Sequence, residues 1–388
     1  MKGKVYICTQ KNKEMTNPFI TKGYAGPEYF CDREKETQDL TSLLLNGNNM
    51  AIISPRRLGK TELICHCFAQ PAIRDHYHTF LVDIYSTNTL RDFVNLFGQA
   101  ILEELKPKGR KVWEGFITSL KSLQAQFSFD FSGNPVWSLG LANIDNPSLT
   151  LQEIFQYLRN ADRPCIVAID EFQQITRYPD GANVEAALRT HIQHCMNATF
   201  LFAGSKRHLM GEIFSSPSRP FYQSVLTMGL DPIPLEKYAP FAQRMFNNYG
   251  KALANDVAPL VYERSRGITS YLQRVMNVLF LRTSQGQTAT TEMAEESIEY
   301  ILDLLSENYE TQYSQMTERQ RQVLHAIASE GDATAITSGA FIKRHHLWSP
   351  SSVMSAVKGL MEKDYITEEK GTYRVYDEFF GLWLRRHP

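Results

Sequence analysis

Met50-Ala51-Ile52-Ile53-Ser54-Pro55-Arg56-Arg57-Leu58-Gly59-Lys60-Thr61 is the stretch that decides the fold. Its four apolar residues, bounded by the Gly47-Asn48-Asn49 turn and by Ser54-Pro55, predict a short buried strand. The Gly-Lys-Thr that follows, with residues 62–68 behind it, predicts the start of a helix. Strand, glycine turn and helix in this order fit a phosphate-cradling loop at every defining position but the first, where Ser54 replaces glycine. Such a loop works because backbone N–H groups and a helix N-terminus face the phosphates. Gly59 allows close backbone approach, Lys60 is expected to reach the β- and γ-phosphates, and the Thr61 hydroxyl to ligate Mg²⁺. Glu62, the first residue of the helical run, is carried with the loop. A surface Lys-Thr is the plain alternative.

Ile166-Val167-Ala168-Ile169-Asp170-Glu171 is the complementary signal downstream. Four apolar residues ending in two carboxylates predict a central strand with acids at its C-terminal edge, where open α/β sheets bind ligands. Asp170 is expected to hold Mg²⁺ through water. Glu171 is expected to polarise the attacking water as general base, with a capping Asp-Glu as the plain alternative. A further strand over 199–203 ends in Gly204-Ser205. There Ser205 would touch the γ-phosphate or the water, or serve only as a turn residue.

Around these motifs, apolar runs predict strands over 50–53, 79–85, 165–169 and 199–203. Periodic runs predict helices over 34–45, 62–68, 90–105, 149–159 and 184–195. This alternation implies an α/β fold, a parallel sheet covered on both faces. Residues 127–141 alternate around Gly133-Asn134-Pro135 and predict a hairpin insertion at about 125–142. After about residue 234 the strands are expected to stop, with helices over 238–253, 258–265, 269–283 and 291–305 forming a lid. In the last segment Thr317 and Gln320 predict a capping box, residues 338–345 a second helix, and Ser349-Pro350 the start of a third running to 363. Residues 365–375 fold back over Gly371 as a hairpin. Three helices and a hairpin make a winged helix-turn-helix. The expected domains are a core over 1–233, a lid over 234–310 and a winged helix over 311–388.

At 388 residues the chain is too long for one compact core. With 43% hydrophobic and 21% charged residues and a formal net charge of −1, no global positive field draws it to nucleic acid or anionic lipid. Residues 1–16 lack the apolar stretch of a signal peptide, and no run reaches the length of a membrane helix. The six cysteines show no zinc spacing, so a cytoplasmic protein without membrane partner is the expectation. The His76–His78 and His345–His346 pairs lack ligand-spaced neighbours.

These residues resemble an archaeal and bacterial ATPase family of the STAND branch of AAA+ proteins, akin to the origin-recognition initiators. The likeness runs through Phe30-x-x-Arg33-Glu34, the loop Ser54 to Thr61 with its Pro55-Arg56-Arg57-Leu58, Asp170-Glu171 and Gly204-Ser205. It closes with Tyr376-Asp377-Glu378-Phe379-Phe380-x-x-Trp383-Leu384-Arg385. It implies Mg-ATP bound between an ATPase core and a helical lid, followed by a winged helix. It implies that Phe30 and Arg33 flank the adenine, and that the lid supplies a sensor, Arg274 or else Arg266. Many members carry Tyr-Gly-Arg after the Gly-Ser strand. Here the place reads Phe221-Tyr222-Gln223, so slow hydrolysis is expected, with Arg219 or Arg189 as substitutes.

Residues 311–388 hold 10 Lys/Arg against 9 Asp/Glu, and the helix over 349–363 offers only Lys358 and Lys363 as cations. Phosphate contacts dominate DNA affinity, so the charges favour an internal, nucleotide-reporting role for the winged helix over DNA binding. The expected function is an ATP-hydrolysing switch with a winged-helix output. An ATP-regulated DNA-binding protein and a nucleotide-binding scaffold of negligible turnover stay open, as do a DNA or protein partner and a homo-oligomer.

Overall fold

The computed structural model describes residues 16–104, 127–129, 135–137, 144 and 146–387. The chain divides into two compact units: residues 22–232, and residues 16–21 with 233–388.

The first unit is built on five parallel strands in the order β2-β5-β6-β1-β7. They are β1 (Met50–Ile53), β2 (His78–Asp83), β5 (Cys165–Asp170), β6 (Ala198–Gly204) and β7 (Leu226–Met228). Alternation along each strand divides the core. Ala51, Val82, Val167, Ile169, Phe200 and Phe202 face one cluster. Met50, Ile52, Leu81, Ile166, Ala168 and Leu201 face the other. Helices α1 (Glu34–Leu45), α2 (Lys60–Phe68) and the short α3 (Pro71–Arg74) cover the second face. Helices α4 (Leu90–Glu104), α5 (Pro147–Arg159), α6 (Gly181–Gln193) and α7 (Arg207–Ser215) cover the first. Both faces being dry explains why β5 is buried at all six positions.

Of the hairpin insertion, β3 (Phe127–Phe129) and β4 (Pro135–Trp137) pair antiparallel, with Phe127 opposite Trp137. Its Gly133-Asn134 tip lies outside the described residues, as do Leu105 and the stretch before Thr16. Strand β7 has no counterpart in the sequence expectation. It lengthens the sheet on the far side of β1.

The second unit holds α8 (Leu235–Asn248), α9 (Val257–Arg264), α10 (Thr269–Arg282) and α11 (Thr291–Ser314). Strands do not stop at 234: β8 (Ala252–Leu253) and β9 (Thr288–Ala289) form a short parallel pair. Helix α8 therefore ends at Asn248 rather than 253, where Gly250 turns the chain at φ 66°. Phe19 is fully buried against Phe241, Phe246 and Phe280 at 5.5–6.4 Å, which ties residues 16–21 to this unit rather than to the core. Asn17 Nδ2 donates to Asn277 O at 2.9 Å there, and Asn277 Nδ2 to Phe19 O at 2.7 Å.

Helix α11 continues nine residues past the expected end, so residue 310 falls inside a helix. Its last turns pack on α12 (Glu318–Glu330) and α15 (Glu378–Arg386), through Tyr313 on His325 and Tyr309 on Phe380, and α13 (Gly339–Arg344) and α14 (Pro350–Glu362) lie between these two in the chain. Strand β10 (Ala333–Thr334) joins the hairpin β11 (Ile366–Glu369) and β12 (Thr372–Val375) in the order β10-β12-β11. The Thr317–Gln320 capping box forms, and Ser349 caps α14 ahead of Pro350. Lys370 and Gly371 take φ 51° and 82°, the left-handed pair that a tight hairpin turn demands. No helix among the described residues is long and apolar enough to cross a membrane.

Candidate functional site

The C-terminal ends of β1, β5 and β6 share one edge of the sheet, since Ile53 pairs with Gly204 and Ile169 with Phe202. From that edge residues 54–59 loop over the first turn of α2. Arg57 and Gly59 have φ 70° and 87°. Gly59 is needed for that conformation rather than for space, because an added β-carbon would find only Glu62 Oε2, at 3.9 Å. It occupies the N-cap position without a side-chain cap, so the first N–H groups of α2 face the loop rather than a capping oxygen.

Lys60 is only 6% exposed. Its ammonium donates to Ser54 O at 3.0 Å and Pro55 O at 2.8 Å. Thr61 Oγ1 donates to Asp170 Oδ2 at 2.5 Å, joining the loop to β5. Burial raises the Asp170 pKa above the usual carboxylate range, against the Thr61 hydrogen bond and with Glu171 adding to the rise. Burial lowers the Lys60 pKa, against the pull of Asp170 and Glu171. Burial likewise raises the Glu62 pKa. Three carboxylates, Asp170, Glu171 and Glu62, thus act on the Lys60 ammonium, with Arg56 as a second cation nearby.

Glu171 adopts φ 55°, which turns its side chain away from the strand line and toward β6. Ser205 Oγ donates to Glu171 Oε2 at 2.8 Å. Gln173 Nε2 donates to the same oxygen and reaches Ser205 Oγ at 3.5 Å. Nothing in the sequence points to Gln173. Gln173 and Gln174 are both buried, Gln174 donating to Thr87 O at 2.9 Å.

The remaining expected residues divide by location. Arg56 lies 5.3 Å from the Tyr85 ring, and Leu58 is buried in the loop. Phe30 stacks on His66 of α2 at 4.2 Å, six residues beyond Lys60, roughly 9 Å along the helix. Both line a cleft of about 670 Å³ with Thr37 and Thr41. Arg33 is buried, its guanidinium bonded to Glu36 at 2.7 Å and to Asp231 O at 2.5 Å. Arg274 belongs to the second unit, 6.0 Å from the Phe379 ring. Arg266 is engaged by Asp332 and, at 3.4 Å, by Glu378. Arg219 is held by Glu185 and, at 3.7 Å, by Glu212. Arg189 lies at the other edge of the sheet, bordering Asn49 and Thr199.

A family model described as a probable winged helix domain matches residues 307–386. No curated protein matches the chain. Solved structures do. The Walker-type ATPase of Pyrococcus abyssi superposes with TM-score 0.65 at 18% identity, covering 95% of this chain and 99% of that one. The Aeropyrum pernix ORC2 protein, in ADPNP–ADP complexes, gives 0.60 at 12% over 96% and 98%. The ORC1 protein of the same organism, in complex with DNA, gives 0.50 at 13% over 93% and 94%. At such identities the likeness speaks for the fold: the chain has the P-loop fold of the AAA+ ATPases and carries a winged helix domain at its C-terminal end.

Proposed function

We propose that the chain binds Mg-ATP at the C-terminal edge of the core sheet and hydrolyses it, as a switch whose output is the winged helix domain. The observation that carries this reading is the 2.5 Å contact between Thr61 Oγ1 and Asp170 Oδ2 above a buried lysine. The donor set suits magnesium. Among the described residues no cluster of three or more His, Cys, Asp or Glu could hold a metal by itself. A threonine hydroxyl and one carboxylate leave the other ligands to phosphate and water, as Mg²⁺ prefers. When bound, the ion would neutralise charge on the phosphates.

The loop N–H groups and Lys60 then hold the phosphates, and Asp170 keeps Thr61 oriented. Glu171, fixed by Ser205 and Gln173, takes the proton from the water that attacks the γ-phosphorus, releasing ADP and phosphate. Phe30 supplies an apolar wall for the base, and Arg33 braces that wall through Glu36 and Asp231. Arg274 is the lid sensor of this proposal. Slow turnover belongs to the same reading, because Arg219 is bound to two carboxylates. A second copy of the chain lending an arginine would raise the rate. The test is phosphate release by Glu171→Gln beside the wild type. A loss of about 100-fold or more with ATP still bound is expected. Equal rates would favour a scaffold without turnover.

For the winged helix we favour an internal, nucleotide-reporting role over DNA binding. Arg344, the last residue of α13, and His345, just beyond it, are paired with Glu330 at 2.5 and 2.8 Å, and Arg374 with Asp332. Fluorescence anisotropy with a labelled duplex at low salt decides: salt-dependent binding that responds to ATP would favour DNA.

A further inference from the structure

The loop that follows β1 and the turn that follows β2 meet over the C-terminal edge of the core sheet. In the order β2-β5-β6-β1 those two strands stand three spacings apart, about 14 Å. Ser54 N donates to Gly204 O at 3.3 Å, so the loop leaves the sheet beside the residue that precedes Ser205. On the far side Ile84 N donates to Asp170 O at 3.1 Å, and Tyr85 is the next residue out. Arg56 closes this gap, its guanidinium carbon 5.3 Å from the centre of the Tyr85 ring. The contact therefore spans the ends of β6 and β5, where Ser205 is bonded to Glu171.

A guanidinium within about 6 Å of an aromatic face is attracted to it, and that contact by itself uses none of its five N–H donors. The ring is 54% exposed, and the turn that presents it is fixed by Tyr85 N donating to Asp83 Oδ1 at 2.9 Å. Arg56 is itself only partly buried, so a nucleotide on the loop can reach it. It acts on the Lys60 ammonium together with Asp170 and Glu171, which places its charge in the same cluster. Arg219, by contrast, is taken up by Glu185 and Glu212.

We infer that Arg56 is a catalytic residue of the ATP hydrolysis proposed above, a cation supplied by the phosphate loop of the same chain and aimed by Tyr85. The inference rests on that reading of the site. The bond from the γ-phosphorus to the ADP oxygen breaks as the water oxygen bonds to phosphorus and its proton passes to Glu171. Negative charge then gathers on the γ-phosphoryl and leaving oxygens, and Arg56 donates hydrogen bonds to them without losing a proton. With Arg219 engaged, the slow turnover of the chain by itself depends on Arg56.

The experiment is single-turnover phosphate release and ATP affinity of the full chain with magnesium. Wild type is compared with Arg56→Ala, Tyr85→Leu and Tyr85→Phe, with Glu171→Gln beside them. Arg56→Ala should release phosphate at least about 30-fold more slowly, with ATP affinity changed less than about threefold, because a contact made only in the transition state moves the rate and not binding. Wild type should bind ADP with aluminium fluoride, a mimic of the transferring group, at least about tenfold more tightly than ADP alone, and Arg56→Ala should lose that gain. Tyr85→Leu should lose part of the rate, and Tyr85→Phe, which keeps the ring, should retain most of it. A wild-type rate in Arg56→Ala beside a slow Glu171→Gln would overturn the role of Arg56 and leave the ATPase reading standing. A loss that follows ATP affinity alone would do the same. Equal release by wild type and Glu171→Gln would overturn the ATPase reading and this role with it.

Discussion

A β-carbon at Gly204 would meet Met210 Sδ and stand 2.5 Å from Gln173 Oε1. Gly204→Ala must therefore move Gln173, which in turn holds Glu171 and Ser205. Overpacking of this kind costs about 1–3 kcal/mol, to be read as a lower urea midpoint. Phosphate release should fall as well, because the base loses its brace. Gln173→Leu removes the brace and leaves residue 204 unchanged, so turnover, measured as phosphate release, should fall. An unchanged rate would remove Gln173 from the base's support. The buried Asp170 also fixes a sign. Its folded pKa is raised, so its own contribution to stability is present at low pH and is lost as pH climbs through the folded value.

Helix α6 meets the 219 segment through Glu185, whose side chain is wholly buried. Burial raises its pKa to about 7, although Arg219 pulls it down. A raised carboxylate pKa means that the folded state holds the proton more tightly. Stability from this group is full below the ordinary glutamate range and drains away up to about pH 7. Arg219→Ala removes the opposing charge and raises the pKa further. The loss should therefore be larger at pH 8 than at pH 6, measured by urea unfolding at both. A pH-independent loss would mean the pair is not ionic. Thr317→Ala breaks the capping box of α12 and should cost about 1 kcal/mol. What the sequence makes legible follows the same physics. Strands β1, β5 and β6 are readable because both faces are dry and turns bound them. Strand β7 is not, since Leu226-Thr227 is exposed and only pairing with β1 makes it a strand. Strands β8 and β9 exist through a partner more than thirty residues away. The end of α11 reads as polar because its contacts are to the winged helix: Ser306 accepts from Trp383 Nε1 at 2.9 Å, and Tyr309 stacks on Phe380. At the candidate site the loop and the acids are legible from spacing. The Gln173 brace and the Glu185 hold on Arg219 are not, because both depend on distant elements meeting.

Two compact units with separate cores should unfold as more than one calorimetric transition. Trp383→Ala removes a buried indole and the Ser306 bond, so about 3–5 kcal/mol should be lost from the second unit's transition alone. All of the phosphate-facing candidates, from Ser54 to Thr61 with Asp170, Glu171 and Ser205, belong to the first unit, so ATP with magnesium should raise that unit's transition. The central claim is that the 54–61 loop and the β5 carboxylates are one phosphate-and-metal site. Calorimetric titration of ATP into the wild type and Lys60→Ala, each with magnesium and with chelator, tests it most directly. One ATP should bind per chain in the wild type, more weakly under chelator, and Lys60→Ala should lose about 100-fold or more in affinity. Equal affinity in the two proteins, indifferent to magnesium, would contradict the account.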